Sequence, residues 1–257
     1  MVSKFEPTLP GNPNQLVVQQ HIFPRSAIRR FAAPDGLVEV DRFTGETFRA
    51  KPTNAMFCAL RAWDQASETT RSAPIEQAYA SLADRIVRGE VQSLADEMHK
   101  SVTEFYLLWN HRFGVAQLPA EDLALNIVEA ERKFTKEQEE ILEGKGVIFI
   151  RDNKVPIRFI NGMTIMREND RGMERMANAR WGIVRASQGE FLVPDNTKEL
   201  AVVPLSPSIC LVNEASDQEL SLDLVGGVNR QLRDCAQAYC FARDFRLCPV
   251  RLRTIPI

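Results

Sequence analysis

No apolar stretch in this 257-residue chain approaches the roughly 20 residues that a bilayer-spanning helix needs. No basic segment followed by an apolar run marks a secretory leader either. Histidine is scarce. With only His21, His99 and His111, an H-E-x-x-H zinc site or a histidine-rich nuclease motif cannot be assembled. The five cysteines, Cys58, Cys210, Cys235, Cys240 and Cys248, contain no C-x-x-C pair, and an odd number of thiols suits a reducing compartment. A cytoplasmic protein without a metal site is therefore expected. Charge of one sign is lacking too. The 32 Lys and Arg against 34 Asp and Glu leave −2, too little to draw the whole molecule onto nucleic acid or a membrane.

Several catalytic signatures are also missing. No G-x-G-x-x-G follows a strand, Gly144-Lys145-Gly146 lacks the spacing and the Ser/Thr of a phosphate loop, and there is no G-x-S-x-G elbow. Those nucleotide-binding loops and an α/β-hydrolase serine are excluded. Pro194-Asp195 resembles the opening of a metal-nuclease carboxylate set, but Lys198 is the last lysine and no D/E-x-K follows. Glu131-x-Lys133 and Glu143-x-Lys145 supply those letters only on a charged helical stretch, where the spacing is common by chance. No motif specifies a cofactor.

What is present is a globular balance, 44% hydrophobic and 26% charged, on a chain long enough to bury one large core. Charge is unevenly placed. Residues 1–62 carry eight Lys/Arg against five Asp/Glu and residues 226–257 six against two, while the middle is acidic. If the two ends meet, they form a basic region on an acidic body.

Residues 1–14, with Pro7, Pro10, Gly11 and Pro13, read as an extended or mobile arm preceding a single domain over 15–257. Leu37–Arg42 and Glu46–Lys51 alternate around Thr44-Gly45 and predict a β-hairpin. Ile75, Tyr79, Leu82 and Ile86 make one helical stripe, and Val91, Leu94, Met98, Val102, Phe105 and Trp109 a longer one. A third helix is expected from Pro119 through Leu123, Ile127, Ala130 and Phe134, and Thr135–Gln138 forms a capping box for a further one. The charged run Glu129–Glu143 reads as a solvated face. Val147–Ile150 and Val155–Ile160 flank a turn as a second hairpin, with helix and strand close competitors. Short strands follow at Trp181–Arg185, Glu190–Val193, Ala201–Leu205 and Ile209–Val212, then a helix over Val228–Ala242 that holds Cys235 and Cys240. The fold class is α+β, a central helical bundle with short antiparallel β elements contributed by the N- and C-terminal parts.

Gln20-His21-Ile22-Phe23-Pro24-Arg25 is the densest chemical segment. Pro24 disfavours helix at Phe23 and suits a helix start, so a short helix to Ala33 is expected, anchored by Ile28 and Phe31 with Arg25 and Arg29 on a shared face. Such a start offers free N–H donors, Arg25 adds a planar fork, and the imidazole of His21 titrates near neutrality, so an anion site with proton transfer can be built here. The same physics supports a second reading, in which Asp195 is the anion that His21 and Arg25 hold, a brace with no substrate. Asn196 beside it favours a turn. Arg112 extends the Phe105–Trp109 stripe onto the apolar face, where it needs an acidic partner unless the helix frays and lets it reach water.

With Ile28–Ala32, Val38–Arg42 and Thr44-Gly45, that head resembles the uncharacterised bacterial family known as domain of unknown function 4238. Phe191–Asn196, Pro204-Leu205-Ser206-Pro207 and the Asn229–Phe241 segment resemble the family's tail. His21-Ile22-Phe23-Pro24 stands where the family has His-Tyr-Val-Pro, and Thr197 where it has proline. The resemblance brings no activity; it implies that His21, Pro24, Arg25, Asp195 and Asn196 belong to one pattern. Two functions are carried forward. One is an enzyme acting on a phosphodiester or similar anion, such as a nucleic-acid-cleaving effector of a bacterial stress or phage-defence system, with His21 as general acid or base, Arg25 as clamp and Asp195 as orienter. Arg29, Asn196 and Arg112 would then support ligand binding, and nucleic acid or another phosphate-bearing ligand is the partner. The other is a non-catalytic protein that contacts a partner protein and uses the cluster as a brace.

Overall fold

The computed structural model describes residues 5–126, 133–198 and 200–250. Along the chain, strand β1 (Gln19–His21) leads into a short helix α1 (Arg25–Arg29), the hairpin β2 (Val38–Asp41) and β3 (Thr47–Ala50), and strand β4 (Cys58–Leu60). A π-helical turn over Ser67–Ser72 runs into α2 (Ala73–Val87), which is followed by the long α3 (Asp96–Ala116). Then come β5 (Leu123–Ala124), α4 (Lys136–Gly144), β6 (Lys154–Val155) and α5 (Ile157–Arg175). The C-terminal part holds β7 (Trp181–Ala186), β8 (Val193–Pro194), β9 (Val202–Ser206), β10 (Ile209–Asn213), β11 (Gln218–Leu220), α6 (Leu222–Cys235) and β12 (Cys240–Ala242). The class is α+β, with α3 packed against both α2 and α5 and the strands gathered in small sheets.

One four-stranded sheet runs in the order β3-β2-β12-β8, so the head and tail of the chain share a sheet. Cys240 lies opposite Asp41, Phe241 opposite Val40 and Ala242 opposite Glu39. The hairpin that enters this sheet follows its alternation: Val38 and Val40 are buried while Glu39 and Asp41 face outward, and Gly45 takes the left-handed conformation (φ 88°) that its turn requires. Beneath the sheet, Phe23, Phe31 and Phe57 from the head meet Trp109 of α3 and Phe241 of the tail. Ring centroids lie 4.6 Å apart for Phe23–Trp109, 5.8 Å for Phe31–Phe241 and 5.5 Å for Phe57–Phe241. All five rings are buried, and tilted and edge-to-face pairs of this kind add to the area they remove from water. Gly172 lets α5 close on α3: a Cβ there would come within 2.6 Å of Leu107 Cδ2.

Four expectations change. Leu123-Ala124 is a strand paired with Lys154-Val155 rather than part of a helix; the remainder of that expected helix, residues 127–132, lies outside the described residues. The second hairpin shrinks to the Arg151–Lys154 bridge, where Asp152 and Asn153 take positive φ, and Pro156 opens α5 in place of a strand. The last helix starts earlier, at Leu222, and stops at Cys235; Cys240 and Phe241 leave it to pair with both β2 and β8. Sheet pairing outcompetes the helical spacing there, because it buries Phe241 completely. Finally, the acidic run is no solvated face: Glu139, Glu140 and Glu143 are among the most buried side chains, while Ile141 of the same helix is exposed.

Candidate functional site

The six residues singled out from the sequence separate into three groups. Asp195 and Asn196 follow β8 and are 2% exposed. The Asp195 carboxylate accepts from the Gln237 amide at Oδ1 (3.0 Å) and the Ala238 amide at Oδ2 (2.6 Å). Asn196 Nδ2 donates to Oδ1 at 2.9 Å, and Trp109 Nε1 donates to the Asp195 carbonyl at 3.1 Å. Each buried charge of this kind needs several donors, and here the donors are the backbone that connects α6 to β12. The turn is fixed to α3 as well, since Thr197 N donates to Asn110 Oδ1. Asp195 borders an open cleft of about 500 Å³ with Ile22, Met56, Cys58, Phe113 and Tyr239, but neither His21 nor Arg25 lines it.

His21 and Arg112 form the second group. His21 ends β1 opposite Cys58 of β4, and its Nε2 bonds the Pro52 carbonyl at 3.1 Å, which fixes the Nε2-protonated tautomer of the neutral ring. Burial pushes the imidazole below its ordinary pKa. The Arg25 and Arg112 charges act in the same direction, while the Pro52 carbonyl and Glu68 oppose them. Arg112 does not fray out of α3. Its guanidinium is 1% exposed, pairs with Glu68 at 2.9 Å and with Glu76, donates to the His21 carbonyl at 3.1 Å, and lies 5.2 Å from the centre of the Trp63 ring. Glu68 sits on the π-helical turn, a backbone irregularity that often marks specialised positions. Burial raises the pKa of Glu76, with Arg112 acting against it, and pushes the Cys58 thiol up to about 11. Such a thiol is no nucleophile at neutral pH.

Arg25 and Arg29 make up the third group. Both are exposed on α1, and among the described residues neither guanidinium is hydrogen-bonded or ion-paired. No hydrogen bond or ion pair joins Asp195 to His21 or Arg25.

A cluster not read from the sequence lies around Arg61, just past β4. Glu6 of the arm meets Arg151 through two hydrogen bonds (2.7 and 2.8 Å), Arg158 through a third (2.6 Å), and Lys136 as well. Glu143 joins Arg61 (2.6 Å) to Arg158 (2.8 Å), and Glu139 and Asp122 also contact Arg151. Burial alone would raise the Glu6 pKa, but the Arg151 hydrogen bonds and the Arg158 and Lys136 charges hold it well below the usual carboxylate range. Glu6, Arg61, Asp122, Arg151 and Arg158, with Phe5 and Pro7 of the arm, border a cavity of about 420 Å³.

Among the described residues no group of three or more His, Cys, Asp or Glu side chains is arranged to hold a metal ion, and no helix is long and apolar enough to cross a membrane. No family model, curated protein or solved structure matches the chain.

Proposed function

We propose that this chain is a non-catalytic binding protein, in which His21, Arg112, Asp195 and Asn196 brace the fold and the exposed Arg25 and Arg29 meet a phosphate-bearing ligand. The observation that carries this reading is the Asp195 carboxylate, whose two oxygens are taken by the Gln237 and Ala238 amides and by Asn196. Its donors all come from the fold itself, and the His21 ring bonds the Pro52 carbonyl instead. The free guanidinium pair on α1 supports the anionic character of the ligand.

Phosphodiester cleavage is the second reading, favoured by one observation: Arg112, which donates to the His21 carbonyl, also pairs with the Glu68 carboxylate at 2.9 Å, so an imidazole, a carboxylate and a guanidinium lie close together. One comparison separates the two. His21→Ala and the Arg25→Ala/Arg29→Ala pair are measured for thermal unfolding, for binding of a fluorescent single-stranded oligonucleotide, and for its cleavage. The binding reading expects the arginine pair to lose at least tenfold in affinity at unchanged Tm, with no cleavage by any variant. Cleavage by the wild type that His21→Ala abolishes at unchanged Tm would establish the enzyme instead, and oligonucleotide affinity unaffected by the arginine pair would overturn the proposal.

A further inference from the structure

We propose that the arginine-lined cavity beneath the N-terminal arm is a recognition site for an extended peptide segment bearing a glutamate side chain, and that the arm's own Glu6 occupies it in this chain. This goes beyond the Arg25 and Arg29 reading and does not depend on it.

Three features define the ligand. The first is shape. Arg151 Nη1 and Nη2 reach Oε1 and Oε2 of Glu6 at 2.7 and 2.8 Å, the parallel fork that a planar carboxylate fits, and Arg158 Nη1 adds a third donor at 2.6 Å. The second is charge. Around Glu6 stand the cations Arg61, Lys136, Arg151 and Arg158 and the acids Asp122, Glu139, Glu140 and Glu143, which balance one another. Because the four cations are already matched by four carboxylates, a glutamate adds only one negative charge to the set, whereas a phosphate dianion would add two and be held against those carboxylates. The third is the backbone. Arg61 Nη1 donates to the Glu6 carbonyl at 3.2 Å, and three residues on the Leu9 amide donates to Glu140 Oε1 at 2.7 Å. Arg61 is itself held in the left-handed region (φ 41°), where a non-glycine residue is strained, and still buries its side chain on Glu143. The site thus reads a glutamate side chain, its own carbonyl and a downstream amide, which only a peptide in one direction and register presents.

The arm is held by ion pairs and hydrogen bonds rather than by apolar packing. Between Phe5 and Gln15 no side chain is fully buried, and Leu16 is the first that is, so the segment can leave as a strap hinged there. A cavity of about 420 Å³ remains beside Phe5, Glu6 and Pro7 even with the strap in place, room for side chains larger than those of the arm.

The probe is a fluorescein-labelled synthetic peptide of residues 5–16, alongside the same peptide with glutamine, or with phosphoserine, at the Glu6 position. Full-length Glu6→Ala is expected to bind the glutamate peptide at least tenfold more tightly than the wild type does, because a tethered competitor acts at roughly millimolar effective concentration. The glutamine peptide should bind at least tenfold more weakly, and adding Arg151→Gln should abolish binding. Equal affinity for the glutamate and glutamine peptides, tighter binding of phosphoserine, or no binding by a folded Glu6→Ala chain would each overturn the proposal. If Glu6→Ala does not fold, hydrogen exchange of the wild type decides: excess glutamate peptide should accelerate exchange over residues 5–15, and unchanged exchange overturns the site.

Discussion

The molecule contains two interiors of opposite chemistry. Where the chain's head and tail meet, Phe23, Phe31, Phe57, Trp109 and Phe241 fill a dry aromatic core. Around Arg61, just past β4, Glu6, Arg61, Arg151, Arg158, Glu139 and Glu143 form a network of ion pairs, while Ile141, Val147 and Ile148 stay exposed. The aromatic core owes its stability to area removed from water and is indifferent to pH. The ionic interior must offset the desolvation of each charge by pairing it, so it tolerates no deletion of one partner and responds to protons. Shape selects in the first, charge balance in the second. A site that exchanges ligands is better suited to the second kind.

Truncation in the aromatic core should give the largest effect. Phe241→Ala removes a ring that touches Phe23, Phe31 and Phe57, with an expected loss of about 4 kcal/mol in urea unfolding. A loss below about 1.5 kcal/mol would show that the two chain ends are not locked by this core. Next comes Glu143→Ala, which leaves Arg61 and Arg158 without their shared carboxylate; about 3 kcal/mol should be lost, and replacing the triad together with apolar residues of similar volume should recover most of it.

The pH dependence sharpens the contrast. Because the folded-state pKa of Glu6 is depressed, its contribution is fully present above the unfolded value of about 4.3 and is lost as pH falls from there toward the folded value. Wild type should therefore lose stability below about pH 4.3 more steeply than Glu6→Gln, while Phe241→Ala should keep the wild-type slope. Parallel curves for wild type and Glu6→Gln would remove Glu6 from the account. The smallest effect belongs to the exposed Arg49–Asp35 pair on the hairpin: Arg49→Ala should leave the unfolding midpoint within error.

The aromatic interior and its scaffold were legible because apolar spacing is local. The stripe of α2, the stripe through Phe105 and Trp109, the β2–β3 alternation and the Thr135–Gln138 box each state their structure within a few residues. Arg112 was legible for the same reason, since its place on an apolar face demands a counter-charge, although nothing local identified Glu68 and Glu76. The ionic interior was not. Glu139, Glu140 and Glu143 look like any solvated acidic run unless one knows that Arg61, Arg158 and the arm, all distant in sequence, close over them. Asp195 was found by its turn and neighbours, but its partners are backbone amides, which carry no residue-type signal, so two more visible side chains, His21 and Arg25, stood in for them. The tail strand was hidden because the spacing of Leu232, Cys235, Tyr239 and Ala242 also fits a helix face.

The central claim is that Asp195 fastens the tail of the chain and has no energetic link to His21. A double-mutant cycle in urea unfolding, with His21→Ala, Asp195→Asn and the double variant, measures that link directly. The account predicts a coupling within about 0.5 kcal/mol of zero, with Asp195→Asn alone clearly destabilising. A coupling above about 1 kcal/mol would mean that the imidazole and the carboxylate act together after all, and the brace would have to give way to a joint site.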